Sequence, residues 1–390
     1  MDFKKMRTWA EVNIDNFKNN IEVIRRHIGN NTKLMAVIKA DAYGHGVVRM
    51  AIEAVNSGCD ALAVACIDEA IQLRKENITL PILILSHVSE DSIEDIIEYN
   101  IIPTVFNRTF PEKISEYAKK ENKNVKVHIK LDTGMTRLGF DSIKPEETVD
   151  GIEYISKLDN IEIEGIFTHF ADADNEEGLF VNEQFERYMN IINELEKRGL
   201  EIPLKHTCNS AGIIAKDEMR LNMVRAGIIL YGYYPEKYLE KLLPGIKPVL
   251  EIKSSIFQTR EIEEGVTVGY GRTYKTNEKK RIGVVPIGYA DGYSRLLSNK
   301  FYLLVCGKKA DIIGRICMDQ LMIDLTGIDE ADEGTVVTII GKDGDNVITA
   351  EDIANELGTI SYEILCDIGK RIPRVYIKDG KFDSFVNYLE

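Results

Sequence analysis

The chain has 390 residues, of which 44% are hydrophobic and 29% charged, as expected for an ordinary soluble globular enzyme with room for two domains. Its formal net charge of −14 argues against an extended nucleic-acid-binding surface, which would need a basic face, but it allows a local basic pocket for one small phosphate. No apolar run approaches the roughly 18 residues that span a membrane.

The six cysteines form no CxxC pair, and the first ten residues are not followed by the apolar segment of a signal peptide. This usage predicts free thiols in a reducing cytoplasm. No metal site is predicted.

From about residue 33 to residue 230, short apolar runs alternate with stretches of helical periodicity. One helix is predicted from Asp15, as its N-cap, to His27, and others over Val48–Val55 and Gly178–Leu195. The predicted strands are Leu34–Ile38, Ala61–Ala65, Ile82–Leu85, Ile101–Val105, Val125–Leu131, Ile163–Thr168, Leu204–Cys208 and Asn222–Arg225. Eight strand–helix units at this spacing favour a (β/α)8 barrel over an open sheet.

The pattern changes near Pro244 and Gly245, after which short apolar alternations are separated by glycines. One short helix is predicted at Ala350–Leu357. The predicted strands are Ile252–Ile262, Arg281–Pro286, Tyr302–Val305, Ala310–Ile313, Met322–Leu325 and Val336–Ile340. The fold class is therefore predicted to be α/β, with an N-terminal (β/α)8 barrel over residues 1–243 and a C-terminal mostly-β domain over residues 244–390.

Lys39 follows the first predicted barrel strand and precedes the turn Ala40-Asp41-Ala42-Tyr43-Gly44-His45-Gly46. In a barrel enzyme the active site lies at the carboxyl ends of the strands, where desolvation lowers the pKa of a lysine and makes it nucleophilic toward a carbonyl. The alternative is a surface lysine whose stem packs along the protein.

The loops after strands 7 and 8 are candidates for binding a phosphate, which barrel enzymes commonly hold there. After strand 7 come Asn209 and Ser210, where Ser210 could cap a helix. After strand 8, Arg225 is followed by Gly227 and Ile228, where the glycine lets backbone N–H groups approach a ligand. Taken singly, Ser210 reads as an ordinary N-cap, Gly227 as an ordinary turn and Arg225 as half of an ion pair.

The segment around Lys39 resembles the pyridoxal-phosphate signature of the alanine racemases, and similarity to that family extends from Lys39 to Arg374. The resemblance implies that Lys39 holds the cofactor and that Arg225, supported by His206, faces its pyridine nitrogen. Because a guanidinium only donates, that nitrogen would accept and stay unprotonated. The ring is then a weak electron sink, which favours racemisation over transamination.

Racemisation needs proton-transfer groups on both faces of the substrate α-carbon. The resemblance implies that Lys39 serves one face and that the phenol of Tyr270, in Val268-Gly269-Tyr270-Gly271-Arg272, serves the other. It also implies that Arg137 holds the substrate carboxylate and that His169 is a further neighbour of the Tyr270 phenol. Without the resemblance, Tyr270 would read as a surface aromatic of the β domain.

Further matches carry the resemblance into the C-terminal domain. It implies that Met318, Asp319 and Tyr289 face the site of the opposite subunit in a homodimer, as Tyr270 does. It places Tyr362 near the inner entrance, with Tyr43 and Ser210 around the phosphate. In many relatives the lysine matching Lys130 is carbamylated; the alternative here is a direct ion pair between Lys130 and Asp132.

The leading interpretation is a cytoplasmic, homodimeric alanine racemase that supplies D-alanine for peptidoglycan, with a small amino acid as substrate and no nucleic-acid or membrane partner. A racemase that prefers serine or has broad specificity is an alternative. A decarboxylase of the same fold would pair the pyridine nitrogen with a carboxylate, and Arg225 argues against it. A non-catalytic pyridoxal-phosphate carrier would not need the C-terminal domain with Tyr270 and Met318.

Overall fold

The computed structural model describes residues 6–390, which divide into two compact units. The unit called here the barrel unit comprises Phe17–Ala42 and Val47–Lys247. The β unit comprises the described residues up to Asn16, the short segment Tyr43–Gly46, and Pro248–Glu390. The chain passes from the barrel unit to the β unit after Lys247, and the β unit also includes two short segments from the N-terminal part of the chain. The predicted boundary after residue 243 remains a prediction.

The barrel unit is built on a ring of parallel strands. After β1 (Thr8–Asn13), which belongs to the β unit, the chain forms β2 (Lys33–Val37), β3 (Ala61–Val64), β4 (Ile82–Ile84), β5 (Thr104–Val105), β6 (Val125–Asp132), the short β7 (Phe140–Asp141), β8 (Ile161–Phe167), β9 (Leu204–His206) and β10 (Met223–Ala226). The hydrogen-bonded orders are β10-β2-β3-β4 and β5-β6-β8-β9. A bridge between Leu83 and Ile102 joins the two sets at one side. The bond from Arg225 N–H to the Cys208 carbonyl joins them at the other, so the predicted (β/α)8 fold is confirmed.

Helices connect these strands. The connecting segments are helical because their apolar residues recur at helical spacing and form one apolar face. They are α1 (Ile14–Ile28), α2 (Lys39–Gly44), α3 (Val47–Asn56), α4 (Ile67–Lys75), α5 (Ile93–Glu98), α6 (Thr109–Lys120), α7 (Pro145–Ser156), α8 (Leu179–Lys197), α9 (Ser210–Ala215) and α10 (Leu239–Leu242). The predicted N-cap of the first helix was wrong. Asp15 lies inside its first turn, and the Asn13 side chain accepts the bond from the Asn16 N–H at 2.9 Å.

The β unit contains the remaining strands and two helices. They are β11 (Leu250–Ser255), β12 (Gln258–Ile262), β13 (Thr267–Val268), β14 (Tyr274–Lys275), β15 (Lys280–Val285), β16 (Tyr302–Val305), β17 (Lys308–Asp311), β18 (Leu321–Asp324), β19 (Val336–Asp343), β20 (Asn346–Ile348), α11 (Ala350–Leu357), α12 (Ser361–Cys366), β21 (Arg374–Lys378) and β22 (Lys381–Val386). The largest sheet has the order β17-β16-β19-β11-β1-β21-β22, with β20 beside β19. β1 therefore pairs with strands from the far end of the chain.

The turn α2 is left-handed, and nothing in its composition predicts this. Four consecutive non-glycine residues, Ala40 to Tyr43, have φ between +53° and +54°. Each such residue costs about 1–2 kcal/mol relative to a right-handed conformation, so contacts must hold the turn in place. Within residues 6–390, no helix has both the length and the apolar character needed to cross a bilayer.

Candidate active site

Lys39 follows β2 after Ile38 and is half-buried at the start of the left-handed turn. The carboxylate of Glu69 holds this turn by accepting bonds from the N–H groups of Ala40 at 2.6 Å and Ala65 at 2.7 Å. Asp41 accepts a further bond from the Val47 N–H at 2.8 Å. The carboxylates thus satisfy backbone N–H groups at the starts of the turn and of α3, which have no partner within their own element.

Arg225 lies buried on β10 within a nest of acceptors. Its terminal nitrogens donate to His206 Nδ1 and to the carbonyl oxygens of His206, Thr207 and Thr168 at 2.8–3.0 Å, and to His169 Nδ1 at 3.3 Å. The guanidinium Nε makes no hydrogen bond among the described residues and is not fully enclosed by protein atoms. One donor of Arg225 therefore remains for a ligand.

Cations gather around this arginine. Burial, followed by the charges of Arg225, Lys130, Arg137 and Lys39, holds the pKa of His169 well below its ordinary value. Burial and Arg225 do the same to the pKa of His206. Both imidazoles are therefore neutral near pH 7.

Lys130 is buried on β6, and its ammonium nitrogen lies 4.9 Å from the centroid of the Phe167 ring. Burial first, and then Arg225 and Arg137, lower its pKa to about 7 against the smaller opposing effect of Asp132. A neutral amine is thus abundant at physiological pH. This is the opposite of what a lysine held in a strong ion pair shows.

The direct ion pair between Lys130 and Asp132 is not formed. The Asp132 carboxylate accepts bonds from the N–H groups of Gly134, Thr136 and Arg137 at 2.9–3.0 Å instead. It shapes the loop after β6, and the Arg137 side chain is left exposed there.

The loops after β9 and β10 are tied together. Ser210 Oγ accepts a bond from the Gly227 N–H at 3.0 Å, and the N-cap of α9 is Asn209, which accepts from the Gly212 N–H at 3.0 Å. The prediction that Ser210 caps the helix was therefore wrong by one residue. Since Ser210 Oγ accepts from Gly227, its own hydrogen remains available to an anion. Ile228 follows Gly227 and is buried.

In the β unit, Tyr43 and Tyr362 lie together with ring centroids 6.2 Å apart. Tyr43 is buried, and burial raises its pKa above the ordinary value for a phenol, so its hydroxyl stays protonated. Tyr362 is carried by α12 and is half-buried.

Tyr270, Met318 and Asp319 line one open cleft of about 610 Å³ in the β unit. The side chains of Tyr270 and Met318 are 69% and 52% exposed, and Arg371 pairs with Asp319 at 2.8 Å. Tyr270 stands on a turn between Gly269 and Gly271, both with positive φ, where an added Cβ would come within 3.0 Å of Met322 or Arg315. The glycines therefore fix how the phenol is presented.

Tyr289 does not line this cleft, but its backbone is hydrogen-bonded to Cys317, which does line it. The Tyr289 N–H donates to the Cys317 carbonyl at 3.1 Å. Its side chain is 43% exposed. The structure thus collects the predicted site residues into two groups, one in the barrel unit and one in the β unit.

Sequence reasoning missed three residues around Arg225. Phe167, at the end of β8, stacks on His206 with centroids 4.8 Å apart and also contacts Lys130 and Arg225. His128 and Glu164 continue the hydrogen bonds of His206 toward the other end of the barrel. A histidine in the middle of an apolar strand was the one available signal.

Comparison with known proteins addresses the identity of this arrangement. The family profile "Alanine racemase, N-terminal domain" matches residues 12–235, and "Alanine racemase, C-terminal domain" matches residues 249–376. An alanine racemase of Methanococcus maripaludis is 43% identical over 95% of this chain and 98% of its own. One of Clostridium tetani is 43% identical over 99% of this chain and all of its own.

Solved structures agree with the profiles. Alanine racemase of Clostridium difficile 630 superposes with a TM-score of 0.95 at 42% identity, covering 99% of this chain and 100% of its own. The Bacillus anthracis enzyme with bound L-Ala-P has a TM-score of 0.92 at 35% identity, covering 98% of each chain. The Bartonella henselae enzyme with covalently bound pyridoxal phosphate has a TM-score of 0.84 at 28% identity, covering 95% of this chain and 99% of its own. The chain belongs to the alanine racemase family.

Proposed function

We propose that this chain interconverts L-alanine and D-alanine with pyridoxal phosphate held by the barrel unit. Its two proton-transfer groups are Lys39 of the same chain and Tyr270 of the partner subunit. As a member of its family it is a pyridoxal-phosphate-dependent isomerase. The observation that carries the assignment of roles is the set of hydrogen-bond acceptors around Arg225. Its terminal donors are used by the protein, while its Nε remains for an acceptor at the carboxyl end of a barrel strand.

The donors of the barrel unit fit pyridoxal phosphate. A pyridine nitrogen is an acceptor, which suits the remaining N–H of Arg225. A phosphate suits the free hydrogen of Ser210 and the backbone at Asn209, Gly227 and Ile228 after the last two strands. The amine of Lys39 supplies the covalent link. When bound, the cofactor withdraws electrons from the substrate α-carbon and makes its hydrogen acidic.

Arg225 also limits how far this withdrawal goes. A guanidinium cannot give its proton to the ring, because it stays protonated even though burial lowers its pKa to about 10. A ring that is hydrogen-bonded but not protonated withdraws electrons less strongly. With such a ring held by Arg225, the α-carbon would be reprotonated quickly, which would favour racemisation over transamination.

Each proton-transfer group needs a suitable field. Arg225 and Arg137, whose charges lower the pKa of His169 in addition to its burial, would also stabilise a phenolate, so the barrel unit can receive the ionised form of a partner tyrosine. Because His169 Nδ1 accepts from Arg225, the neutral ring carries its proton on Nε2 and can donate from there. Arg137 has an exposed guanidinium for the substrate carboxylate.

Exposure supports shared sites in a homodimer. Tyr270, Tyr289 and Met318 are large apolar or aromatic side chains left open on the β unit, and such surfaces mark interfaces. We assign Tyr270 to proton transfer, and Met318, Asp319 and Tyr289 to contacts with substrate in the partner's barrel. Tyr43 and Tyr362 would border the cofactor phosphate, and the bulk of Tyr362 would favour a small side chain such as that of alanine.

We further propose that Lys130 is carbamylated. A buried amine with a pKa near 7 is a nucleophile toward CO2 at physiological pH, and no ion pair with Asp132 competes for it. The product carries a negative charge, which the surrounding Arg137 and Arg225 would stabilise. That anion would in turn orient Arg137.

The decisive test is incubation of the holoenzyme with L-alanine in deuterated water, followed by chiral and mass analysis. D-alanine carrying deuterium at the α-carbon is expected. Formation of pyruvate without D-alanine would contradict the proposal. A faster reaction of L-serine, measured in parallel, would make serine the preferred substrate in place of alanine. A cytoplasmic enzyme with this activity would supply D-alanine for peptidoglycan.

A further inference from the structure

A chain of hydrogen bonds runs from Arg225 through the inside of the barrel unit to its opposite end. Arg225 donates to His206 Nδ1 at 2.9 Å, His206 Nε2 lies 2.9 Å from His128 Nδ1, and His128 Nε2 lies 3.3 Å from Glu164 Oε2. Glu164 is bound on its outer side by Lys126 at 2.6 Å. Only the first link belongs to the site described above.

The direction of every bond in this chain is fixed by its ends. Arginine can only donate, so His206 Nδ1 must accept and a neutral His206 carries its proton on Nε2. That proton is donated to His128 Nδ1, which leaves the proton of His128 on Nε2 for Glu164. Burial lowers the pKa of both histidines, and the bond from His128 followed by that from Lys126 lowers the pKa of Glu164 to about 2. The chain therefore joins two neutral imidazoles to one carboxylate.

The far end of the chain lies at the amino ends of the strands, away from the site. His128 and Glu164 line a cavity of about 40 Å³ together with residues that begin strands, Lys33, Ala61, Leu204 and Met223. Arg225, in contrast, is followed directly by the candidate phosphate loop. The chain thus connects the two ends of the barrel interior.

Packing shows that the chain is built into the fold. The β6–β8 pairing is irregular between Val127 and His128, and beyond it His128 lies opposite Gly165. A Cβ on Gly165 would lie only 2.5–2.7 Å from the His128 ring, so glycine makes room for the imidazole. Phe167 stacks on His206 with an interplanar angle of 6°.

We propose that Glu164 is a positioning residue for Arg225: through His128 and His206 it fixes the direction of the guanidinium hydrogen bonds and weakens the remaining donor. All dipoles of the chain point toward the carboxylate, so its charge strengthens His206 Nδ1 as an acceptor. Electron density moves toward Arg225, which becomes a weaker donor to whatever faces Nε. This inference rests on the proposed function, in which the cofactor ring nitrogen occupies that place.

The test compares wild-type holoenzyme with Glu164→Gln, using Glu162→Gln as the matched control. Glu162 is on the same strand and lies 3.9 Å from Lys126, but it makes no bond to His128. The 15N spectra of labelled histidines report which ring nitrogen carries each proton. In the wild type, both His206 and His128 are expected to be protonated on Nε2.

An amide at position 164 has lost the charge and can also donate. Mixed tautomers at His128 and His206 and a shifted absorption band of the bound cofactor are therefore expected. Because mixed tautomers no longer hold the guanidinium in one direction, kcat should fall about tenfold with little change in KM, the factor that corresponds to one charge-assisted bond. Glu162→Gln should match the wild type in all three.

A wild-type His206 protonated on Nδ1 would overturn the proposal without any variant. Unchanged tautomers and spectrum in Glu164→Gln would do so as well. If the wild type did not racemise alanine, the proposed function would fail, while the tautomer measurement would still decide whether the chain exists as described.

Discussion

Single residues in this protein take their chemistry from desolvation more than from partners. Lys130 has a depressed pKa because it is buried beside two arginines, while the carboxylate that opposes this effect, Asp132, is bound to backbone amides. His169 is kept neutral by burial first and then by the positive charges around it, which lower its pKa further. The residue types are visible in the sequence, but their protonation states depend on neighbours brought from other strands.

Reaction of Lys130 with CO2 should depend on pH in a defined direction. Since its pKa is about 7, the reactive neutral amine increases as the pH rises through 7. Protein equilibrated with 13C-labelled bicarbonate should show one carbamate resonance that is stronger at about pH 8 than at about pH 6. Lys130→Arg should remove it, and Lys126→Arg, at an exposed lysine of the same strand, should not. A resonance that survives in Lys130→Arg would rule out this assignment.

Lys39 should account for the covalent link to the cofactor. Lys39→Ala is expected to lose the long-wavelength absorbance of the bound cofactor, because the amine that forms the link is removed. Reduction with borohydride followed by peptide mapping measures this directly. Lys33→Ala, at an exposed lysine that begins the preceding strand β2, is the control. Cofactor still reducible onto the Lys39→Ala chain would contradict the role of this lysine.

The left-handed turn shows an element that local sequence does not encode. Ala40, Ala42 and Tyr43 have no preference for positive φ; Glu69 binds the Ala40 N–H at the start of the turn, and Asp41 within the turn binds the Val47 N–H that begins α3. Backbone strain of this kind is typical of functional sites. Here it directly follows the proposed cofactor lysine.

Relieving this strain should stabilise the protein. Ala40 is exposed, and glycine adopts its φ of +54° without the Cβ clash. Ala40→Gly should raise the free energy of unfolding by about 0.5–1 kcal/mol, the strain removed less the added entropy of the unfolded chain. Glu186→Gly, exposed in the right-handed α8, should lower it by about 1 kcal/mol. Denaturant unfolding measures both, and destabilisation by Ala40→Gly would show that the turn is not strained.

At the level of elements, the sequence predicted what depends on periodicity. The barrel strands were found within one to three residues because they are buried apolar runs, and α11 was found with its C-cap Gly358. β1 was missed because its partners, β11 and β21, lie more than 200 residues away. β12 was merged with β11 since nothing local marks the break at Ile256 and Phe257. The residues of the candidate site were identified by resemblance; their hydrogen bonds were not.

The proposed homodimer with shared sites can be tested by complementation. Lys39→Ala and Tyr270→Phe each remove one proposed proton-transfer group, so each homodimer should be almost inactive. In a mixed dimer, one site combines the intact Lys39 of one chain with Tyr270 of the partner subunit. Co-refolding or subunit exchange should therefore restore about a quarter of wild-type activity, given random pairing in a symmetric dimer. No recovery, with mixed dimers shown by mass spectrometry, would place both groups in one chain.

The stability of the whole protein should fall in mild acid. His128, His169 and His206 have pKa values lowered by burial, so they stay neutral when folded but bind protons when unfolded below about pH 6.5. Each should cost about 1 kcal/mol per pH unit below that point. Glu164, whose pKa is about 2, adds a further loss as the pH falls through the range 4.5 to 2. Urea unfolding from about pH 7.5 to 5.5 measures the slope.

A matched pair of variants assigns this slope. His206→Phe keeps an aromatic ring against Phe167 but cannot be protonated, so its unfolding free energy should vary less steeply with pH. His87→Phe, at an exposed histidine, should leave the slope as in the wild type. Equal slopes in all three proteins would show that the buried histidines are not responsible.

The ring of acceptors around Arg225 makes this position hard to reassign. Two imidazole nitrogens and three carbonyl oxygens converge on one side chain, and all of them accept from it. A carboxylate placed there would face three carbonyl oxygens that cannot donate, and it would require both imidazoles to change tautomer. A carboxylate at this position would therefore need further changes in the segments that end β8 and β9, so under the proposed role of Arg225 the reaction type depends on several strands and not on one codon.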